Sequence, residues 1–192
     1  MEKIKKNAFL IFSFSLILLM NSCKSSVTRR AEKVVKEWQC KEVIFPKSSV
    51  FTKFGKDTIS ISNHAKYKVL VYVDSTGCTE CKLQLSNWKN VISGIDSISE
   101  NEVEYLFYIN PKNRKELHYL LKRNSFTIPI CVDLSDSLNK LNKFPSELMF
   151  QTFLLDENNK VLLIGSPIRS DAVKKLYYNK IQNNINIKKE SL

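Results

Sequence analysis

Apolar and polar positions divide the chain into a leading apolar run and a series of short periodic elements. Ala8 to Met20 is thirteen residues of apolar side chains and serine behind Lys3, Lys5 and Lys6. A run that short falls below the ~20 residues needed to cross a hydrocarbon core, and a basic end before a short apolar stretch is the order of an export signal. Lys24 to Glu32 is polar without an apolar repeat and is expected to be a tether, with the folded part starting near Val34. Val43 to Pro46 and Val50 to Phe54 read as short strands, and Gly55-Lys56-Asp57 turns the chain into the alternating Thr58 to Ile61, an N-terminal hairpin. Val69 to Val73 is a continuous β-branched and aromatic run, the pattern of a strand buried on both faces.

From Cys81, the residues Leu85, Trp88, Ile92 and Ile95 follow at offsets of four, seven, eleven and fourteen, one stripe of a helix. Val103 to Ile109 is a second strand, and Asn110-Pro111 is expected to open a helix carrying Leu117, Leu120 and Leu121. Thr127 to Val132 adds a strand and Ser135 to Leu141 a short helix. Thr152 to Leu155 and Val161 to Ile164 flank the hairpin turn Asp156 to Asn159, and Ser170-Asp171 caps a last helix expected to bury Val173, Leu176 and Tyr177. Helical crossovers give parallel neighbours and hairpins antiparallel ones, so the order implies an α/β fold with a mixed sheet.

Composition changes this picture little. The chain has 192 residues, 43% hydrophobic, with a formal net charge of +11. This excludes a wholly disordered chain, and five cysteines are too few for a disulfide scaffold. Removing residues 1–22 takes away three lysines and one glutamate and leaves +9. Lysine outnumbers arginine 25 to 5 and is scattered, without a basic stripe interleaved with aromatics, so nucleic acid is not expected as a partner. Arg29, Arg30 and Lys33 could favour anionic lipid near an anchor.

The chemistry concentrates at Asp74-Ser75-Thr76-Gly77-Cys78-Thr79-Glu80-Cys81, where a buried strand meets a helix. A helix N-terminus offers unsatisfied N–H groups and partial positive charge, both of which stabilise a thiolate. Cys78 is best placed to gain. Its thiolate can attack a disulfide, and Cys81 one turn on can resolve the mixed disulfide. The competing readings are an inert turn-locking disulfide and, more remotely, zinc, for which His64 and His118 lack ligand spacing to the pair.

On these residues the sequence resembles the thioredoxin-like superfamily, and within it the exported, membrane-anchored redoxin branch of TlpA-type thioredoxins. The resemblance rests on Lys68 to Val73, the CxxC at Cys78 and Cys81, and Thr152 to Val161, and spans Lys41 to Asn184. It implies a thioredoxin-like mixed sheet flanked by helices and thiol–disulfide oxidoreductase activity, with Cys78 as nucleophile, Cys81 as resolving cysteine and no dissociable cofactor. Gly77, Thr79 and Glu80 would line that site. The family's cis-proline falls on Phe150 or Gln151 here, so these would line it too, and its buried acid falls on Tyr72, leaving Asp74 as candidate proton acceptor. Glu80 should oppose thiolate formation. Leu19 to Cys23 resembles a bacterial lipoprotein signal, which implies acylation of Cys23 and a lipid-anchored, periplasm-facing protein of the cell envelope.

The expected organisation is a signal peptide at 1–22, lipidated Cys23 and tether at 23–40, the domain at 41–187 and a tail at 188–192. Expected partners are the membrane through Cys23, envelope proteins bearing disulfides or thiols, and an electron donor. No metal is expected. Cys40 and Cys131 read as separate thiols, and Trp38, Trp88, Tyr72 and Tyr108 as packing residues. His118 reads as a surface or boundary residue. Two other functions compete: a non-catalytic thioredoxin-fold binding module, and a peroxiredoxin-like peroxidase, which Ser75 would suit but which residues 68–77, lacking proline, do not.

Overall fold

The computed structural model describes residues 26–60 and 65–190. The expected signal peptide, Cys23, His64 and the end of the tail lie outside them. Two compact units divide between Lys36 and Glu37. Most of helix α1 (Ser26–Trp38) belongs to the first, so the segment expected as a tether is helical. Val27, Ala31, Val34 and Trp38 do repeat at helical spacing, but the basic and acidic residues between them and the exposure of Val27 hide the stripe.

In the second unit, β1 (Phe51–Lys53) and β2 (Asp57–Thr58) form the expected hairpin. Val43 to Pro46, expected as a strand, joins no ladder, and only Glu42 before it makes an isolated bridge, to Lys160. Its polar groups are satisfied otherwise: the Val43 N–H donates to the Asn159 carbonyl, and the Asn142 side chain bonds both backbone groups of Ile44 at 2.8 Å. The order continues with β3 (Tyr67–Val73), α2 (Thr79–Leu83), α3 (Leu85–Ser99), β4 (Val103–Ile109) and α4 (Arg114–Arg123). It ends with β5 (Ile130–Val132), α5 (Ser137–Asn142), a 3₁₀ turn (Leu148–Phe150), β6 (Thr152–Asp156), β7 (Val161–Ile164) and α6 (Asp171–Glu190).

The seven strands make one mixed sheet in the order β2-β1-β5-β4-β3-β6-β7. β3 runs parallel to β4 from Tyr67 opposite Val103 to Val73 opposite Ile109, and β4 is parallel to β5, while the other pairs are antiparallel. Every residue of β3 is buried, as its unbroken apolar run requires. One sheet face, with Val69, Val71, Phe107 and Ile109, packs on Trp88, Ile92 and Ile95 of α3, Leu117 and Leu121 of α4, and Tyr177 and Ile181 of α6. The other carries aromatics, with Trp38 stacked on Phe144 at 5.4 Å between centroids and tilted against Phe153 at 5.0 Å. Trp88, Tyr72 and Tyr108 are also buried, as expected of packing residues.

Three helix readings shift. α4 starts at Arg114, because Asn113, not Asn110, caps it, accepting from the Lys115 and Glu116 N–H groups. Leu176 is exposed, and Ile181 takes its place beside Tyr177 in the core. The single helix expected from Cys81 to Ile95 breaks at Gln84, which is left-handed at φ 44°, and this removes Cys81 from the buried stripe and puts Leu83 inside.

Candidate functional site

Parallel β3 and β4 end side by side, and the loops that leave them build the site. At the exit of β3, Gly77 has φ +66°, a left-handed conformation that costs glycine nothing, and a Cβ there would meet no atom within 4 Å. The turn delivers Cys78 to the N-cap of α2, where its Sγ accepts from the Cys81 N–H at 3.1 Å. Cys78 and Cys81 are joined as a disulfide across a Cα–Cα distance of 5.3 Å, and both residues are exposed. The Cys78 sulfur thus already accepts a helix N–H, which would favour its thiolate once the bond is reduced.

A network behind this turn fixes it. The Asp74 carboxylate accepts from the Thr76 N–H at 2.7 Å and from the Thr76 hydroxyl, pairs with Lys82, and takes a bond from Gln151 Nε2 at 3.2 Å. Burial alone would raise its pKa, but the bonds from Lys82, Thr76 and Gln151 outweigh burial and hold the carboxyl at about 2. A carboxylate of so low a proton affinity is a poor acceptor for a thiol proton, so Asp74 is better suited to anchoring the loop than to the expected proton transfer. Tyr72, where the family's buried acid would stand, donates to Asp136 Oδ1 at 2.7 Å. Burial and that carboxylate push its phenol well above its usual range, so it stays neutral.

Gly77, Cys78, Thr79 and Glu80 line a groove of about 700 Å³ whose far wall is α4. Phe150 and Gln151 are not among the residues that line this groove. The 3₁₀ turn buries Phe150 in the core and aims the buried Gln151 amide at Asp74 and at the Pro145 and Ser146 carbonyls. The Gln151 carbonyl is engaged as well, accepting from the Tyr72 N–H at 3.0 Å.

Three cations near the turn were not singled out from the sequence. Lys82 follows Cys81 directly and had a local signal. Arg123 pairs with Glu80 at 2.7 Å, offsetting the negative charge beside Cys78, and Arg169 donates to the Cys81 and Lys82 carbonyls at 3.3 and 3.0 Å. These two lie 43 and 87 or more residues away in sequence, so no local pattern marks them. Cys40 and Cys131 are separate, and burial pushes the Cys131 thiol up to about 11, which suits an inert core residue. His118 is buried, with Nδ1 2.7 Å from the Phe54 carbonyl, where it holds the β1–β2 turn to α4.

No protein-family model matches the chain, and no curated protein matches it in sequence. Solved structures do match its fold. The C-terminal domain of a Bacteroides thetaiotaomicron protein assigned as a thiol-disulfide oxidoreductase superposes with a TM-score of 0.56 at 14% identity, covering 76% of this chain and 97% of that one. A cysteine-to-serine variant of Xanthomonas campestris peroxiredoxin Q does so at 0.51 and 13% identity, over 72% of this chain and 97% of its own. An Aquifex aeolicus protein assigned to electron transfer matches at 0.50 and 9% identity, over 75% and 97%. At such identities the likeness is one of fold alone: the mixed sheet and its flanking helices have a thioredoxin-like arrangement.

Proposed function

We propose that the protein is a thiol–disulfide oxidoreductase of the bacterial cell envelope, exported by residues 1–22, anchored through acylated Cys23, and acting on disulfides of other envelope proteins. The observation that carries the activity is the position of the Cys78–Cys81 disulfide: exposed, at the N-cap of α2 and on the rim of a groove. An inert bridge needs no such access.

In the reduced protein, the Cys78 thiolate attacks one sulfur of a substrate disulfide, forming a mixed disulfide and releasing the first substrate thiolate. Cys81, deprotonated, then attacks Cys78 Sγ. This restores the intramolecular disulfide and releases the second substrate thiolate, so two electrons pass to the substrate. A further round needs a dithiol donor to reduce the pair. The short α2 keeps the two sulfurs within reach throughout, while Asp74, Lys82 and Arg169 hold the turn.

The engaged carbonyl of Gln151 favours a second reading, a binding module without catalysis, because that backbone is not open to a substrate strand. Turnover separates the two. The full chain should accelerate reduction of insulin by dithiothreitol, Cys78→Ser should abolish this, and Cys81→Ser should lose turnover while accumulating a mixed disulfide. No acceleration by the unsubstituted protein would leave the binding module in place.

A further inference from the structure

Resting on the exchange reaction proposed above, we infer that the groove between the cysteine turn and α4 selects acidic polypeptide segments as disulfide substrates. The groove holds about 700 Å³, within the range of pockets that enclose a ligand, and Cys78 lies on its wall. Its charge is asymmetric once the pairs within it are taken out. Glu80 is committed to Arg123 at 2.7 Å. Glu116 accepts from Asn113 Nδ2 at 3.1 Å and sits in the first turn of α4, where a helix N-terminus favours a carboxylate. Against that one carboxylate stand Lys112 and Lys122, both exposed, both lining the groove and neither in an ion pair among the described residues, so the groove keeps a positive balance of one charge.

The apolar part of the surface is equally placed. Tyr119 stands 69% exposed beside the buried Leu117 and Leu120, so α4 offers a ring for a side chain to pack on, in the same groove as Lys112 before the helix and Lys122 near its end. At Gln151, by contrast, both the backbone carbonyl and Nε2 are already engaged, so a docking chain finds neither free there. A substrate segment that reaches Cys78 along this groove crosses α4, with carboxylates near its cysteines meeting Lys112 and Lys122 and an apolar side chain meeting Tyr119. Complementary charge of this kind acts mainly on encounter, so it is read in kcat/KM and is screened by salt.

The test uses the full chain and two synthetic peptides, each closed by one disulfide and carrying a tyrosine, that differ only in flanking glutamates or flanking lysines. Reduction by the dithiothreitol-cycled protein should favour the glutamate peptide by ~10-fold in kcat/KM at low salt and by far less at high salt. Lys112→Glu with Lys122→Glu should invert the ratio, and the glutamine pair should bring it near one. Equal rates for the two peptides, a preference for the lysine peptide, or a ratio that charge reversal leaves unchanged would overturn the inference. If neither peptide is reduced, fluorescence anisotropy of the same peptides decides. Preferred binding of the glutamate peptide, inverted by charge reversal, would sink the exchange reaction and keep the groove assignment. Binding without preference would sink both.

Discussion

Replacing Asp74 by asparagine keeps the shape of the side chain and removes the charge on which Lys82, Thr76 and Gln151 converge. The side chains of Asp74 and Lys82 are 20% and 9% exposed, so their attraction is only partly screened by water. The carboxyl is held at about 2 in the folded protein against an ordinary 3.8. That difference corresponds to ~2 kcal/mol of stability at neutral pH, the loss expected for Asp74→Asn. The sign follows from the depressed pKa. Asp74 contributes in full above its unfolded value near 3.8, and the contribution fades as pH falls through about 2. Urea unfolding of the wild type and of Asp74→Asn, followed by the fluorescence of buried Trp38 and Trp88, should give curves that differ most at pH 7 and converge in acid. In a double-mutant cycle, Lys82→Met should cost far less in the Asp74→Asn background than alone. A difference at pH 7 below ~0.5 kcal/mol, or one that persists undiminished at low pH, would refute the assignment of Asp74 as an ionised anchor.

Trp38→Ala should cost ~3–5 kcal/mol in denaturant melts, since the ring is 1% exposed and packed between Phe144 and Phe153. Gly77→Ala should cost only ~1 kcal/mol, because the penalty is the left-handed backbone with no steric clash, and a thermal melt should show a small shift with the cysteines still able to close. Gln151→Glu would turn a donor into a carboxylate facing Asp74 and two carbonyls. It should lose ~2 kcal/mol or more at pH 7 and recover part of this toward pH 4, where the new group binds a proton, as urea unfolding at both pH values would show.

Local pattern was enough for the elements whose burial is written in their own residues. Val69 to Val73 reads as a central strand because its run of β-branched and aromatic residues is unbroken, and the turn at Asp156 to Asn159 reads as a hairpin because its residues favour one. The cysteine turn was legible for the same reason, being three residues apart where a strand meets a helix. The break at Gln84 was not, because a left-handed glutamine follows from the packing of Leu83 and Leu85 and not from its own preference. Helix α1 was hidden by the polar residues that separate its apolar positions. Arg123 and Arg169 reach the turn across long sequence separations, and only the folded sheet brings them there. At Asp74 the sequence shows that a carboxylate is near the cysteines, not how many donors hold it ionised.

The most direct test of the central claim is thiol trapping of the full chain equilibrated across defined thiol/disulfide ratios, with Cys78→Ser and Cys81→Ser alongside. A reversible two-electron transition is expected at a potential between about −120 and −270 mV, the span of thioredoxin-like catalysts, and is expected to be absent from both variants. A pair that stays oxidised through the whole range, or that never forms a disulfide, would contradict the claim.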